Sequence, residues 1–209
     1  MVTRGNIHVI DDHPQVRSAI SALLAAAGYS VNQFPSAERF LLDAHVVSPA
    51  VILTDMRMPS MSGLELLKRI TTRPECPPII VMSGESAPQE IIESFKVGAL
   101  DFLLKPVPNR QLLAAIDKGL ALDAANSKRR DDEQRIRSAL ASLTVREREV
   151  SSLIRQGFSN KAIASTLRVR ADTVKKYRAQ IYAKFGVGDL AQFLLLASAC
   201  PGPWENPSA

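Results

Sequence analysis

The chain is poor in cysteine, in aromatic residues and in long apolar runs. Only Cys76 and Cys200 are present among 209 residues, and aromatics make up 5%. Two cysteines so far apart match neither a disulfide framework nor a metal-ligand spacing, and a reducing, cytoplasmic setting is expected. No stretch approaches about 18 uninterrupted apolar residues, so no membrane span and no membrane partner are expected. The first apolar run, Ile7 to Ile10, is cut short by Asp11 and Asp12, so no secretory leader is expected. No glycine-rich phosphate loop follows any candidate strand, which argues against a nucleotide-binding α/β protein.

What is present points to two parts. The apolar fraction of 46% supports a packed core, and this length suits two domains of about 100 residues each or one larger one. The net charge of +5 is uneven. Residues 1–122 carry 11 Lys/Arg against 12 Asp/Glu, whereas residues 123–209 carry 15 against 9. A basic second half fits a polyanion, although a solvated basic surface would give the same count.

Residues 1–122 alternate short β-branched runs (7–10, 30–34, 51–54, 79–82 and 101–104) with stretches of helical periodicity. Helices are predicted over 17–26, 63–70, 89–97 and 111–122, and Ser36 is a candidate helix start before Phe40 and Leu41. Strict alternation of strand and helix implies a doubly wound, parallel five-stranded α/β sheet with helices on both faces. The first, third and fourth runs are nearly all apolar, as central parallel strands should be. In such a sheet the reactive groups collect at the carboxyl ends of the strands. Asp11 and Asp12 follow the first run, Asp55 the third, Ser83 and Gly84 the fourth, and Lys105 and Pro106 the fifth.

Taken singly, an Asp after a strand is usually a turn or cap residue, Lys105 a surface lysine and Phe102 a core residue. Together they make chemical sense. Three carboxylates at one sheet edge repel each other unless a hard dication, Mg²⁺, sits among them. A carboxylate can attack phosphorus to form an acyl phosphate, with Mg²⁺ and a lysine stabilising the transferred charge.

The set Asp11-Asp12, Asp55-Met56-Arg57-Met58-Pro59 with Met61 and Gly63, Ser83-Gly84 and Lys105-Pro106 resembles the receiver domain of two-component response regulators over roughly residues 5–122. The resemblance implies that Asp55 is the phospho-acceptor and that Asp12, Asp55 and the Arg57 carbonyl ligate Mg²⁺, with Asp11 nearby or through water. It also implies that Lys105 pairs with the phosphoryl group and that Ser83 and Phe102 form the switch. Ser83 stands where threonine is commoner. A phosphohydrolase of the haloacid-dehalogenase type would need a second Asp two residues after the nucleophile, and that position is Arg57. The receiver catalyses only its own phosphotransfer, so no enzyme with a diffusible substrate is expected.

Residues 123–138 read as a charged, exposed helical linker in which Arg129 and Glu133 can pair. From Leu143 the pattern is all-helical. Thr144 and Glu147 form a capping-box signature; Gly157 ends that helix, Ser159 opens the next, and a short turn at 168–171 precedes a helix from Asp172 to Phe185. In that helix Val174, Tyr177, Ile181 and Phe185 form the apolar face; Lys175, Lys176, Arg178, Ala179 and Tyr182 lie on the other sides. Two short helices joined by a tight turn describe an all-α helix-turn-helix.

Leu143-Thr144, Arg146-Glu147, Glu149-Val150, the run Gly157 to Ala164, Thr173-Val174-Lys175 and Lys184 with Gly186-Val187 resemble the LuxR-type helix-turn-helix over residues 139–199. With the receiver, the chain resembles a NarL/FixJ-type response regulator, leaning to the FixJ-like branch by its linker. Residues 200–209 are expected to be a disordered tail. The resemblance implies a sensor histidine kinase, promoter DNA and RNA polymerase as partners, and a homodimer when phosphorylated or DNA-bound. Dimerisation through the helix around Leu190 to Leu196 is one route. DNA contacts are expected from Lys175, Lys176 and Arg178, with Asn160, Lys161 and Arg170 near phosphates. Arg170 stands where a serine often caps, Tyr177 where histidine is frequent and Leu190 where arginine is frequent. A regulator that ignores phosphorylation would leave the acidic pocket without a use.

Overall fold

The computed structural model describes residues 4–73, 75–85 and 87–199, so the expected tail at 200–209 lies outside the described residues. The chain divides into two compact units, Met1–Ser127 and Lys128–Ala209. Among the described residues no helix is long and apolar enough to cross a membrane.

The first unit holds β1 (Asn6–Ile10), α1 (Pro14–Ala26), β2 (Ser30–Phe34), α2 (Ala37–Asp43), β3 (Ala50–Asp55), α3 (Gly63–Ile70), β4 (Ile79–Ser83), α4 (Pro88–Val97), β5 (Asp101–Leu104) and the start of α5 (Asn109–Ser142). All pairings are parallel, in the order β2-β1-β3-β4-β5. The three apolar runs are the three central strands, and every residue of β3 and β4 is buried. Alternation along the strands divides two cores. Ile10, Phe34, Ile52, Ile79 and Val81 pack with Phe40, Leu66, Leu67 and Ile70 on one face. Ile7, Val9, Val51, Leu53, Ile80, Met82 and Leu103 pack with Leu24, Leu112, Ile116 and Leu120 on the other.

The caps follow the local chemistry. The Ser36 hydroxyl accepts from the Arg39 N–H at 3.3 Å, and Ser62 and Glu65 form a full capping box at the start of α3. The first helix starts at Pro14 rather than Arg17, because Pro14 supplies a preset φ at the first helical position.

Two expectations for the linker need correction. The stretch 123–138 is not a separate helix, because α5 runs unbroken from Asn109 to Ser142. Nor is it exposed throughout. Asp123 is buried and its Oδ2 accepts from the Ala50 N–H at 2.9 Å, satisfying the amide that opens β3. Ile136, Ala139 and Leu140 are buried in the second unit's core. The Arg129–Glu133 pair forms, at 3.0 Å.

The second unit continues with α6 (Val145–Arg155), α7 (Asn160–Leu167), α8 (Ala171–Phe185) and α9 (Leu190–Ala199). Thr144 and Glu147 form the expected capping box. Glu147 does more than cap: it is buried and also accepts from Lys184 Nζ at 2.7 Å, while the same ammonium donates to the Ser142 carbonyl at 2.9 Å. The lysine, followed by the cap, holds the Glu147 carboxyl below its usual range. Glu147→Ala is expected to destabilise the second unit by about 2 kcal/mol, through loss of the cap and the charge-assisted bond. The helix-melting transition of the intact chain checks this.

His8 on β1 is buried between Phe34 and Phe40, at ring separations of 5.9 and 5.7 Å, and neither ring nitrogen has a hydrogen-bond partner. Burial lowers its pKa from 6.5. The native state therefore favours neutral His8; its contribution is fully present above pH 6.5 and is lost as pH falls below it. Relative to His8→Phe at each pH, the β1 amides of the wild-type chain should lose hydrogen-exchange protection below pH 6.5, by up to about tenfold per pH unit. Equal protection at every pH would contradict this.

Candidate functional site

The strand order places Asp11, Asp55, Ser83 and Lys105 at one edge. Asp55 is the last residue of β3 and pairs in register with Met82, Ser83 ends β4 opposite Leu104, and Asp11 directly follows β1. Asp11, Asp55 and Ser83 are buried at 0%, 6% and 1% exposure, too little for hydration to hold two carboxylates apart.

Lys105 resolves that conflict. Its Nζ donates to Asp11 Oδ2 at 2.8 Å and to Asp55 Oδ1 in a very short contact. Burial alone would lower the Lys105 pKa, but the bonds and charges of Asp11 and Asp55 outweigh it and hold the pKa above 10.5. Each carboxylate is also tied to main chain. Asp11 Oδ1 accepts from the His13 N–H and Asp55 Oδ2 from the Arg57 N–H, both at 2.8 Å. The loop after Asp55 is held by Met56 N–H to the Met82 carbonyl at 2.7 Å and by Gly63 N–H to the Met56 carbonyl at 3.0 Å. A Cβ on Gly63 would come within 2.2 Å of the Asp55 carbonyl oxygen, so only glycine lets α3 start this close to the pocket.

The remaining expected pocket residues are also placed here. Ser83 Oγ donates to the Glu85 carbonyl at 2.7 Å. Phe102 is half-buried beside the core that packs under α3. Asp12 is a quarter exposed, and its Oδ1 lies 3.0 Å from His13 Nδ1. Ligand atoms of Asp11, Asp12 and His13 all lie within 4.8 Å of one another. The carboxylates of Asp11, Asp12 and Asp55 are hard oxygen donors of the kind Mg²⁺ takes, so the donor chemistry fits that ion. Sequence periodicity gave no sign of two neighbours. Arg17 Nη1 donates to the Asp11 carbonyl at 2.6 Å, and the Arg57 side chain reaches Glu90 on α4 at 3.7 Å.

In the second unit α7 and α8 are joined by Arg168, Val169 and Arg170, with Arg168 in the left-handed region at φ 54°. Ser159 caps α7 by accepting from the Ala162 N–H, whereas Arg170 caps α8 without a side-chain bond. Val174, Ile181 and Phe185 are fully packed into the core, with Tyr177 partly so. Tyr182, expected on an outer side, also packs inward, its ring 5.6 Å from that of Phe193. Lys161, Arg170, Lys175 and Lys176 are exposed, Lys175 pairing with Asp172 at 3.2 Å. Arg178 is half-buried, donating to Asn160 Oδ1 at 2.7 Å and to the Tyr182 hydroxyl at 2.6 Å. The two expected contact residues Arg178 and Asn160 thus form one unit bridging α7 and α8.

This architecture recurs in known proteins. Residues 7–117 match the model of the response regulator receiver domain, and residues 141–197 that of the bacterial regulatory proteins of the luxR family. The transcriptional regulatory protein FixJ of Bradyrhizobium diazoefficiens is 35% identical over 197 residues, covering 94% of this chain and 96% of that protein. FixJ of Rhizobium meliloti is 35% identical over 198 residues, covering 95% and 97%. A solved structure of the response regulator StyR superposes with a TM-score of 0.80 at 34% identity, covering 92% of this chain and 98% of that one. Full-length FixJ from B. japonicum does so at 0.58 and 34%, covering 95% and 98%. Two domain matches in this order, and relatives that align along nearly the whole length, make the chain a member of the NarL/FixJ-type two-component response regulators, which control DNA binding and transcription.

Proposed function

We propose that Asp55 is the phospho-acceptor and that its phosphorylation by a sensor histidine kinase controls promoter binding by α7 and α8. The observation that carries this reading is the Lys105 ammonium held between Asp11 and Asp55 at the strand ends. A carboxylate oxygen of Asp55 attacks phosphorus, the new O–P bond forms as the donor's N–P bond breaks, and an acyl phosphate results. Mg²⁺, when bound by Asp12, Asp55 and the Arg57 carbonyl with Asp11 close by, neutralises charge on the transferred group. Lys105 moves from the Asp55 carboxylate to a phosphoryl oxygen. The Ser83 hydroxyl turns from the Glu85 carbonyl to the phosphoryl group, and Phe102 follows it inward. The receiver spans 1–122 and the DNA-binding domain 139–199, with the intervening residues 123–138 carried within α5. The protein acts in the cytoplasm as a homodimer when phosphorylated or DNA-bound, with RNA polymerase as its partner at the promoter and no diffusible substrate.

On the DNA side, Lys175 and Lys176 are the exposed donors of α8, and Lys161 and Arg170 flank them toward phosphates. Arg178 and Asn160 support the same surface through their mutual bond.

Two outcomes are expected. With Mg²⁺ and a small-molecule phosphodonor, the intact chain should gain one phosphoryl mass, Asp55→Asn none, and Lys105→Ala a slower gain; labelling of Asp55→Asn at the wild-type rate would overturn the assignment. In DNA titrations at several salt concentrations, Lys175→Ala and Lys176→Ala should each reduce the log–log salt slope by about 1. An unchanged slope for both would remove them from the interface.

A further inference from the structure

Tyr182 lies one helical turn after Arg178 on α8, and its hydroxyl accepts from Arg178 Nη2 at 2.6 Å. The Arg178 guanidinium also sits over the Tyr182 ring, 5.5 Å from its centre. The ring in turn packs against Phe193 of α9 at 5.6 Å. From there Arg178 reaches across to α7, where its Nη1 donates to Asn160 Oδ1 at 2.7 Å. These three side chains line one open cleft of about 480 Å³, together with Lys175 and the turn at Val187 and Gly188. A guanidinium can only donate, so the two bonds fix the roles of both partner atoms. Asn160 spends its oxygen on Arg178, and its Nδ2 hydrogens remain. Tyr182 spends a lone pair on Arg178, and its O–H hydrogen remains. Among the described residues neither of these donors meets a protein acceptor. The Lys175 ammonium pairs with Asp172 at 3.2 Å, but both side chains are at least two-thirds exposed. Water screens such a pair, and the lysine stays open to a second anion.

We propose that this cleft seats one phosphodiester of the DNA backbone and that Tyr182 is the positioning residue that holds Arg178 for it. The proposal rests on reading the second unit as DNA-binding and adds a residue to that surface. A phosphate offers acceptors only. It complements a cleft whose side-chain oxygens are already used and whose free groups are donors and positive charge. Arg178 commits one N–H on each terminal nitrogen, which leaves the rest of its fork for a phosphate. An unrestrained arginine would have to be ordered when DNA binds. Here Tyr182 and Asn160 order it beforehand, and Tyr182 can do so because Phe193 holds its ring. The packing of α9 on α8 thereby reaches the DNA-facing surface through one hydroxyl.

Binding of the intact chain to a mixed-sequence DNA duplex, titrated at several salt concentrations, tests this, because backbone contacts do not depend on base sequence. Tyr182→Phe keeps the ring against Phe193 and removes only the hydroxyl. It should weaken binding by about three- to tenfold. Arg178→Met should weaken binding at least as much and reduce the log–log salt slope by about 1. In the Arg178→Met background, Tyr182→Phe should change the affinity by less than about twofold, because its effect passes through the missing guanidinium. A merely structural Tyr182 would weaken binding in both backgrounds, and that result overturns the positioning role. Wild-type affinity in Tyr182→Phe overturns it as well. An unchanged slope in Arg178→Met overturns the phosphate seat. Failure of wild type to bind the duplex, with or without Mg²⁺ and a small-molecule phosphodonor, overturns the DNA-binding reading of the second unit and this proposal with it.

Discussion

Two buried carboxylates at one sheet edge, Asp11 and Asp55, are tolerable only because the Lys105 ammonium lies between them. Removing one partner of such a buried set leaves an uncompensated charge, a loss of about 3–5 kcal/mol in comparable cases. Much of the first unit serves to hold these groups. The order β2-β1-β3-β4-β5 makes the strands that lead to Asp11 and end at Asp55 direct neighbours. Gly63 allows α3 to begin against the Asp55 carbonyl, and Arg17 pins the Asp11 carbonyl from α1. The pocket is thus charged, ordered and only partly balanced by protein groups, a condition that a dication and a phosphoryl group can complete.

The second unit solves a different problem, presenting cations while keeping a small core intact. Val174, Ile181 and Phe185 commit one side of α8 to that core, and Lys175 and Lys176 remain exposed. The bond from Arg178 to Asn160, extended to Tyr182, crosslinks α7 and α8. The Glu147–Lys184 pair links the start of α6 to the end of α8. These polar ties link α7 and α6 to α8 beside the apolar core that the three helices share.

Local chemistry was readable from the sequence where one segment sufficed. The β-branched runs gave all five strands, and the capping residues Ser36, Thr144 and Ser159 each accept the expected backbone bond. The acidic pocket was readable because parallel strands deliver their C-terminal residues to one edge whatever the loop lengths. Features that depend on distant pairs were not. Nothing in the charged run around Asp123 marks it as the partner of the Ala50 amide, and Asn160 and Arg178 sit on different helices. Tyr182 was misplaced because its helical position lies at the edge of the apolar stripe, where Phe193 of α9 draws it inward. The continuity of α5 escaped because its packing partners change along its length, so no single apolar stripe runs through it.

The central claim is that phosphate on Asp55 governs DNA binding. The most direct measurement is the affinity of the intact chain for its promoter, with and without Mg²⁺ and a phosphodonor, for wild type and Asp55→Asn in parallel. A gain in affinity or dimerisation by wild type alone is the result this account requires. Equal binding by both proteins under every condition would contradict it and would move control away from DNA affinity.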